Sequence, residues 1–346
     1  MSPHTTALIT LSLVMGSTIT VTSNHWIMAW VGLEINTLAI IPLISKSHHP
    51  RAIEAAVKYF LVQATASALL LFSSMLNAWA CGQWDTTQMS NPTSCLLLTT
   101  AVSMKLGLVP FHFWYPEVLQ GTSLTTALIL STLMKFPPLT LLLMVHNSLN
   151  PTLLTTLAIS STALGGWMGL NQTQTRKILA FSSISHLGWM AIIILYQPKL
   201  TLLTFYLYTV MTATVFLTLN TTKTLSLTTM MTSWTKTPAL NTTLVLALLS
   251  LAGLPPLTGF LPKLVIIQEL TKQELTPTAT IIAMLSLLSL FFYLRLAYYT
   301  TITIPPNTST NMKQWHTHSP SGTLTATLTS LSTMLFPLSP MILTST

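Results

Sequence analysis

Charge is what this sequence has least of. Aspartate and glutamate number six and lysine and arginine fourteen in 346 residues, so charged side chains are 6% of the chain. An ordinary soluble domain carries about a quarter, and a soluble surface cannot be made from so few. Mean hydropathy is +0.63. Cysteine is nearly missing as well. Cys81 and Cys95 are the only two, and they read as unpaired thiols, with a disulfide closing the 81–95 loop as the alternative. No Cys/His cluster has metal-ligand spacing, and His48-His49 and His316-Thr317-His318 read as loop histidines. There is no Walker loop, no G-x-G-x-x-G and no G-x-S-x-G. Nucleotide, dinucleotide and serine-hydrolase chemistry are therefore excluded for this chain alone, as is any redox centre of its own. The net charge of +8 sits mostly in short loops without interleaved aromatics, which excludes nucleic-acid binding. A removable leader is not expected, because the first apolar run has neither a basic n-region nor a cleavage site.

What the chain has in quantity is apolar runs of membrane-spanning length, ~20 residues each. We expect an all-α, polytopic membrane protein with about eleven transmembrane helices in a single domain, residues 1–346. The spans lie near 3–22, 25–44, 52–79, 94–120, 122–146, 150–170, 175–196, 199–220, 239–272, 276–300 and 322–343. The fourth contains Gly107, Pro110 and Pro116. The ninth contains Gly253, Pro255, Pro256, Gly259 and Pro262. Proline removes a backbone donor and clashes with the preceding turn, so both are expected to be broken helices. Interrupted backbone at that depth is tolerated only inside protein or along a wet cavity.

Grouping the helices in fives puts a break in the fourth helix of each group. Five crossings is an odd number, so two such units enter the membrane in opposite senses, the pattern of an inverted repeat. The expected repeats are about 1–147 and 148–300, followed by a loop at 301–320 and a last helix at 322–343. Little residue-level likeness between the repeats is visible. Lys46, Arg51, Lys58, Arg176, Lys177, Lys223, Lys236, Arg295 and Lys313 fall on one face and only Lys199 and Lys272 on the other. That bias implies an inside N-terminus and an outside C-terminus.

Against this scarcity, six ionisable residues fall near mid-span: Glu34, Lys105, His112, Lys135, His186 and Lys263. A charge at the centre of a spanning helix costs ~2.5–3.5 kcal/mol on insertion scales. Shared depth at that cost points to a proton relay. Burial disfavours an ammonium, whereas a neighbouring carboxylate favours it. Lys105 beside Glu34 is then expected to stay charged, and Lys135 and Lys263 to exchange protons, with the histidines between them. Each histidine taken alone reads more readily as a satisfied core residue. Glu54, Lys58, Glu117, Glu269 and Arg295 lie nearer helix ends and read as anchors.

The run Gly107-Leu108-Val109-Pro110-Phe111-His112-Phe113-Trp114-Tyr115-Pro116-Glu117 resembles the broken-helix signature of the antiporter-like membrane subunits of respiratory complex I. The run Gly253-Leu254-Pro255-Pro256-Leu257-Thr258-Gly259-Phe260-Leu261-Pro262-Lys263 resembles their second break, and Trp30 to Asn36 their opening helices. The resemblance runs essentially end to end and points to a vertebrate, more narrowly a mammalian, source. It implies the relay roles of all six residues, with Glu34 paired to Lys105. It also implies the mitochondrial inner membrane, with the N-terminus in the matrix and the C-terminus in the intermembrane space. The partners it implies are other membrane-arm and accessory subunits and inner-membrane lipids such as cardiolipin. NADH, FMN, iron–sulfur clusters and ubiquinone are implied in partner subunits, with no cofactor in this chain. Bacterial members carry three further N-terminal helices. The other readings are a free-standing secondary cation/proton antiporter, and a scaffold whose buried charges only fix helix registry.

Overall fold

A computed structural model describes residues 3–234, 237–301 and 322–338. The expected loop at 301–320, apart from its first residue, and the end of the last helix lie outside the described residues, as do Lys236 and Lys313. The chain is helical almost throughout: α1 (Pro3–Thr22), α2 (Trp26–Ile44), α3 (Pro50–Cys81), α4 (Pro92–Leu106), α5 (Trp114–Gly121), α6 (Leu124–Ser131), α7 (Phe136–Met144), α8 (Pro151–Gly169), α9 (Thr175–Ile193), α10 (Pro198–Thr222), α11 (Leu227–Ser233), α12 (Pro238–Ala252), α13 (Phe260–Lys272), α14 (Thr276–Thr301) and α15 (Gly322–Met334). Helices α1, α3, α4, α8, α10 and α12 begin on proline. The missing N–H costs nothing there, because the first turn has no internal acceptor for it. Among the described residues, six segments are long and apolar enough to cross a membrane: Pro3–Thr22, Trp26–Ile44, Pro50–Cys81, Leu124–Met144, Pro198–Thr222 and Thr276–Thr301.

The chain packs as two units, Met1–Ser161 with Ile194–Pro198, and Thr162–Ile193 with Lys199–Thr346. In the first, α1 and α2 meet glycine to glycine. A Cβ on Gly32 would come within 2.8 Å of the Gly16 carbonyl oxygen. Beside this contact the buried Asn36 amide donates to the Leu13 carbonyl at 2.9 Å and accepts from the Ser17 N–H at 3.2 Å. Helix α3 packs on α2, α4 and α5. In the second unit, α14 packs against α9, α11, α12 and α13, and α15 lies on α12. The Arg295 guanidinium donates to the Leu170 carbonyl at 2.5 Å, just past the end of α8, where helical carbonyls lack partners.

Both expected breaks are present, at 107–113 and 253–259, seven residues each. Each opens on a glycine in the left-handed region, Gly107 at φ 76° and Gly253 at φ 79°. The following amide bonds back into the helix, Leu108 N–H to Ser103 at 3.0 Å and Leu254 N–H to Leu249 at 3.4 Å. This closes the orphan carbonyls of α4 and α12. The next turn matches too, with Phe111 N–H donating to Leu108 and Leu257 N–H to Leu254. A second correspondence was not visible in the sequence. Trp26 N–H donates to Trp84 and Thr86 N–H to Asn24, at 3.1 and 3.0 Å. Thr175 N–H donates to Leu225 and Leu227 N–H to Thr173, at 3.2 and 3.1 Å. Each unit thus carries a one-residue antiparallel bridge, His25 with Asp85 and Gln174 with Ser226.

Two expectations need correction. The fifth span, expected as one helix over 122–146, is itself interrupted. Helix α6 ends at Ser131, Leu133–Lys135 forms a 3₁₀ turn, and α7 begins at Phe136. Pro137 and Pro138 cannot donate to the carbonyls one turn back, so Lys135 sits in a third break. The short helix α11, between the tenth and twelfth, was not expected at all.

Candidate functional site

In the first unit, α4, which ends at the first break, packs on α3 and α7. Lys105 lies in the last turn of α4 and is 5% exposed. Its ammonium donates to the Gln63 carbonyl at 3.5 Å, and the Gln63 amide donates to the Lys105 carbonyl at 3.4 Å. Lys135 is 3% exposed and sits over the Tyr115 ring, 4.3 Å from its centre. A ring face attracts a cation without pinning it as a carboxylate would. Lys105, Lys135, Gln63 and Tyr115 line one cavity of about 20 Å³. That is room for about one water molecule.

Glu34 stands on α2, partly buried, with its Oε2 3.4 Å from the Thr37 hydroxyl. The expected ion pair with Lys105 is not formed, and among the described residues Glu34 has no salt bridge. The Gln63 clasp holds the Lys105 ammonium against α3 instead. His112 is in the break and buried, its ring 4.3 Å from that of Phe113. It does not line the lysine cavity.

In the second unit, Lys263 and His186 share a cavity of about 20 Å³ with Tyr208. The Lys263 ammonium donates to the Ala252 carbonyl at 2.7 Å, at the C-terminal end of α12, where the helix dipole favours a cation. In the first unit the matching task falls to an indole: Trp114 Nε1 donates to the Met104 carbonyl at 3.2 Å. The His186 ring lies 5.3 Å from Tyr208, and its Nε2 is 3.5 Å from the Tyr293 hydroxyl.

The structure therefore gathers Lys105 with Lys135, and Lys263 with His186. It keeps Glu34 and His112 off those two cavities. Gln63, Tyr115, Tyr208 and Tyr293 were missed. An amide at the middle of the long third span was a usable signal for Gln63. The tyrosines gave none, since an aromatic inside an apolar helix reads as core. Three of the five expected anchors form a separate cluster, in which exposed Lys58 bridges Glu54 at 2.5 Å and Glu117 at 2.6 Å and so ties α3 to α5, whereas Glu269 pairs with Lys272 at 3.3 Å. Cys81 is exposed, Cys95 is buried, and both are free thiols. Among the described residues, no group of His, Cys, Asp or Glu is arranged to hold a metal.

Residues 23–289 match the family model described as NADH:quinone oxidoreductase/Mrp antiporter, transmembrane, and residues 290–343 match NADH dehydrogenase subunit 2 C-terminus. The chain is 74% identical over 342 residues to NADH-ubiquinone oxidoreductase chain 2 of Sibirionetta formosa, covering 99% of both. It is 72% identical over 344 residues to the Gallus gallus protein of that name, again covering 99% of both. These relatives are birds, where the motifs had pointed to a mammal. Among solved structures it is similar to a chain of respiratory complex I from Thermus thermophilus, with TM-score 0.83, 26% identity, and 95% of this chain and 79% of that one covered. It shares its fold with a chain of the Mrp complex from Dietzia, at TM-score 0.82 and 16% identity over 97% of this chain and 75% of that one.

Proposed function

This chain belongs to the family of transmembrane subunits shared by NADH:quinone oxidoreductases and Mrp antiporters, and we propose that it works as a proton-translocating membrane-arm subunit of mitochondrial respiratory complex I. NADH oxidation and ubiquinone reduction take place in other subunits, which carry the FMN and iron–sulfur clusters. The energy released there shifts proton occupancy along Glu34, Lys105, Lys135 and Lys263, with His112 and His186 as intermediates. The observation that carries this reading is the sharing of one water-sized, buried cavity by Lys105 and Lys135. Two ammonium groups so placed repel each other. A charge arriving near one of them changes the proton affinity of the other, which is the coupling a relay needs.

The two matching breaks and the two matching backbone bridges support a pair of five-helix repeats, about 1–147 and 148–300, with the last helix left over. The parity of five crossings makes the repeats inverted, for about eleven spans in all. The excess of lysine and arginine on one set of loops favours a matrix N-terminus and an intermembrane-space C-terminus. Inner-membrane lipids such as cardiolipin and the remaining membrane-arm subunits are the neighbours of its exposed apolar faces.

The test is proton translocation per NADH oxidised in the assembled enzyme. Lys135→Ala and Glu34→Ala should each lower it several-fold. Normal translocation in fully assembled variants would remove the relay. Lost assembly with normal translocation per assembled complex would favour the scaffold reading.

A further inference from the structure

One open groove in the second unit has no part in the relay. Its volume is about 380 Å³, against about 20 Å³ for each lysine cavity. That lies within the range of small-molecule sites, about 300–1,000 Å³. Helix α10 supplies most of the lining, including Leu203, Tyr206, Leu207 and Val210, and Leu335 joins it from just past α15. Spacings of three and four residues put those α10 side chains on one face. Lys199 is the only charged residue in the lining. Lys199 and Val210 stand eleven positions apart, about 16 Å along the helix. The hydrocarbon core of a bilayer is about 30 Å thick. The groove is therefore one leaflet long, apolar along its run and cationic at one end.

Lys199 is out of place in two respects. It is the second residue of α10, where the positive end of the helix dipole disfavours a cation. The loop pattern also assigns it to the face poor in lysine and arginine, which it shares with Lys272. Lys272 pairs with Glu269 at 3.3 Å. Lys199 is exposed and, among the described residues, forms no salt bridge. A phosphate at this end would meet both the ammonium and the helix terminus. Among the described residues no carboxylate lines the groove to receive the cationic half of a zwitterionic headgroup. Every exposed apolar face of a membrane subunit meets lipid, but a concave one with a cation at its mouth selects and retains it. We propose that this groove is a binding site for one anionic phospholipid, its headgroup on Lys199 and one acyl chain lying along α10 as far as Val210. The proposal rests on the membrane reading of the chain and not on the relay, so lipid binding and translocation can fail separately.

The test uses the assembled complex in phosphatidylcholine vesicles that contain a trace of photoactivatable lipid. The probe is either a phosphatidylglycerol or a phosphatidylcholine with a diazirine in its acyl chain, and the labelled peptides are mapped. The phosphatidylglycerol probe should label the 199–210 stretch more than the phosphatidylcholine probe does. Lys199→Gln should cut that excess roughly fivefold, the weight of one lysine near an anionic headgroup, and leave the phosphatidylcholine labelling unchanged. Equal labelling by both probes, indifferent to Lys199→Gln, would make the groove an ordinary lipid-facing wall and overturn the proposal. No labelling by either probe would mean that a protein neighbour fills the groove, and would overturn it as well. If Lys199→Gln does not assemble, Val210→Phe carries the test: the larger ring should occupy the groove and lower labelling by the phosphatidylglycerol probe, and unchanged labelling overturns the proposal.

Discussion

Lys263 and Ala252 are joined across the second break: the lysine ammonium donates to the alanine carbonyl oxygen at 2.7 Å. The acceptor belongs to the last residue of α12, so the cation is held by a helix end rather than by a carboxylate. Function and support can therefore be separated at this side chain. Lys263→Arg keeps a donor and a permanent charge but cannot lose a proton. It should preserve the amount of assembled complex and lower proton translocation per NADH. Lys263→Met should lower both. Equal translocation by the wild type and the Arg variant would show that Lys263 need not deprotonate.

The two break glycines share a backbone conformation but not a neighbourhood. A side chain at either must enter the left-handed region, at a cost of ~1–2 kcal/mol. A Cβ on Gly253 would also lie 3.0 Å from the Lys263 Cδ, Cε and Nζ, whereas one on Gly107 meets nothing nearer than 3.6 Å. Gly253→Ala should accordingly destabilise the subunit more than Gly107→Ala and should also disturb translocation. Thermal inactivation of the purified complex, read beside translocation, checks this. The reverse order would show that the Lys263 stem yields freely.

Trp114 caps the Met104 carbonyl with its indole N–H. Trp114→Phe keeps the six-membered ring and deletes one of the two donors to this carbonyl, the other being the Gly107 N–H at 3.3 Å, at a cost of about 0.5–1.5 kcal/mol. Less assembled complex is expected, with translocation per assembled complex unchanged. A selective loss of translocation would move Trp114 into the relay.

The triad of Lys58, Glu54 and Glu117 is a contrast case. Its members are exposed, and exposed pairs contribute little and are screened by salt. Glu117→Gln should change neither assembly nor translocation appreciably. Loss of translocation in assembled Glu117→Gln enzyme would make the triad part of a proton path.

Much of this architecture could be read from residues whose backbone chemistry leaves little choice. Gly107 with Pro110, and Gly253 with Pro255 and Pro256, announce interrupted helices, because proline cannot donate and glycine alone enters the left-handed region freely. Lys105, Lys135 and Lys263 stood out because charge is rare at that depth. The third break escaped notice because Pro137 and Pro138 equally suit a helix start, which is what they form. The Glu34–Lys105 pairing failed for a different reason: a main-chain carbonyl, which every residue carries, competes for the ammonium. The paired bridges were unreadable for the same reason. Asn24-His25-Trp26 and Thr173-Gln174-Thr175 share no letters, and the contact is made wholly by amides and carbonyls. Tyr293 is informative only once His186 is known to meet it.

The size of the two lysine cavities carries a consequence for the idle protein. Each has space for about one water molecule, too little for an unbroken file of waters. A cavity of that size does not by itself give protons a continuous water path. Conduction there requires a transient widening that admits more water. If protons pass there as proposed, a substitution that enlarged either cavity would show itself first as a membrane that fails to hold its voltage.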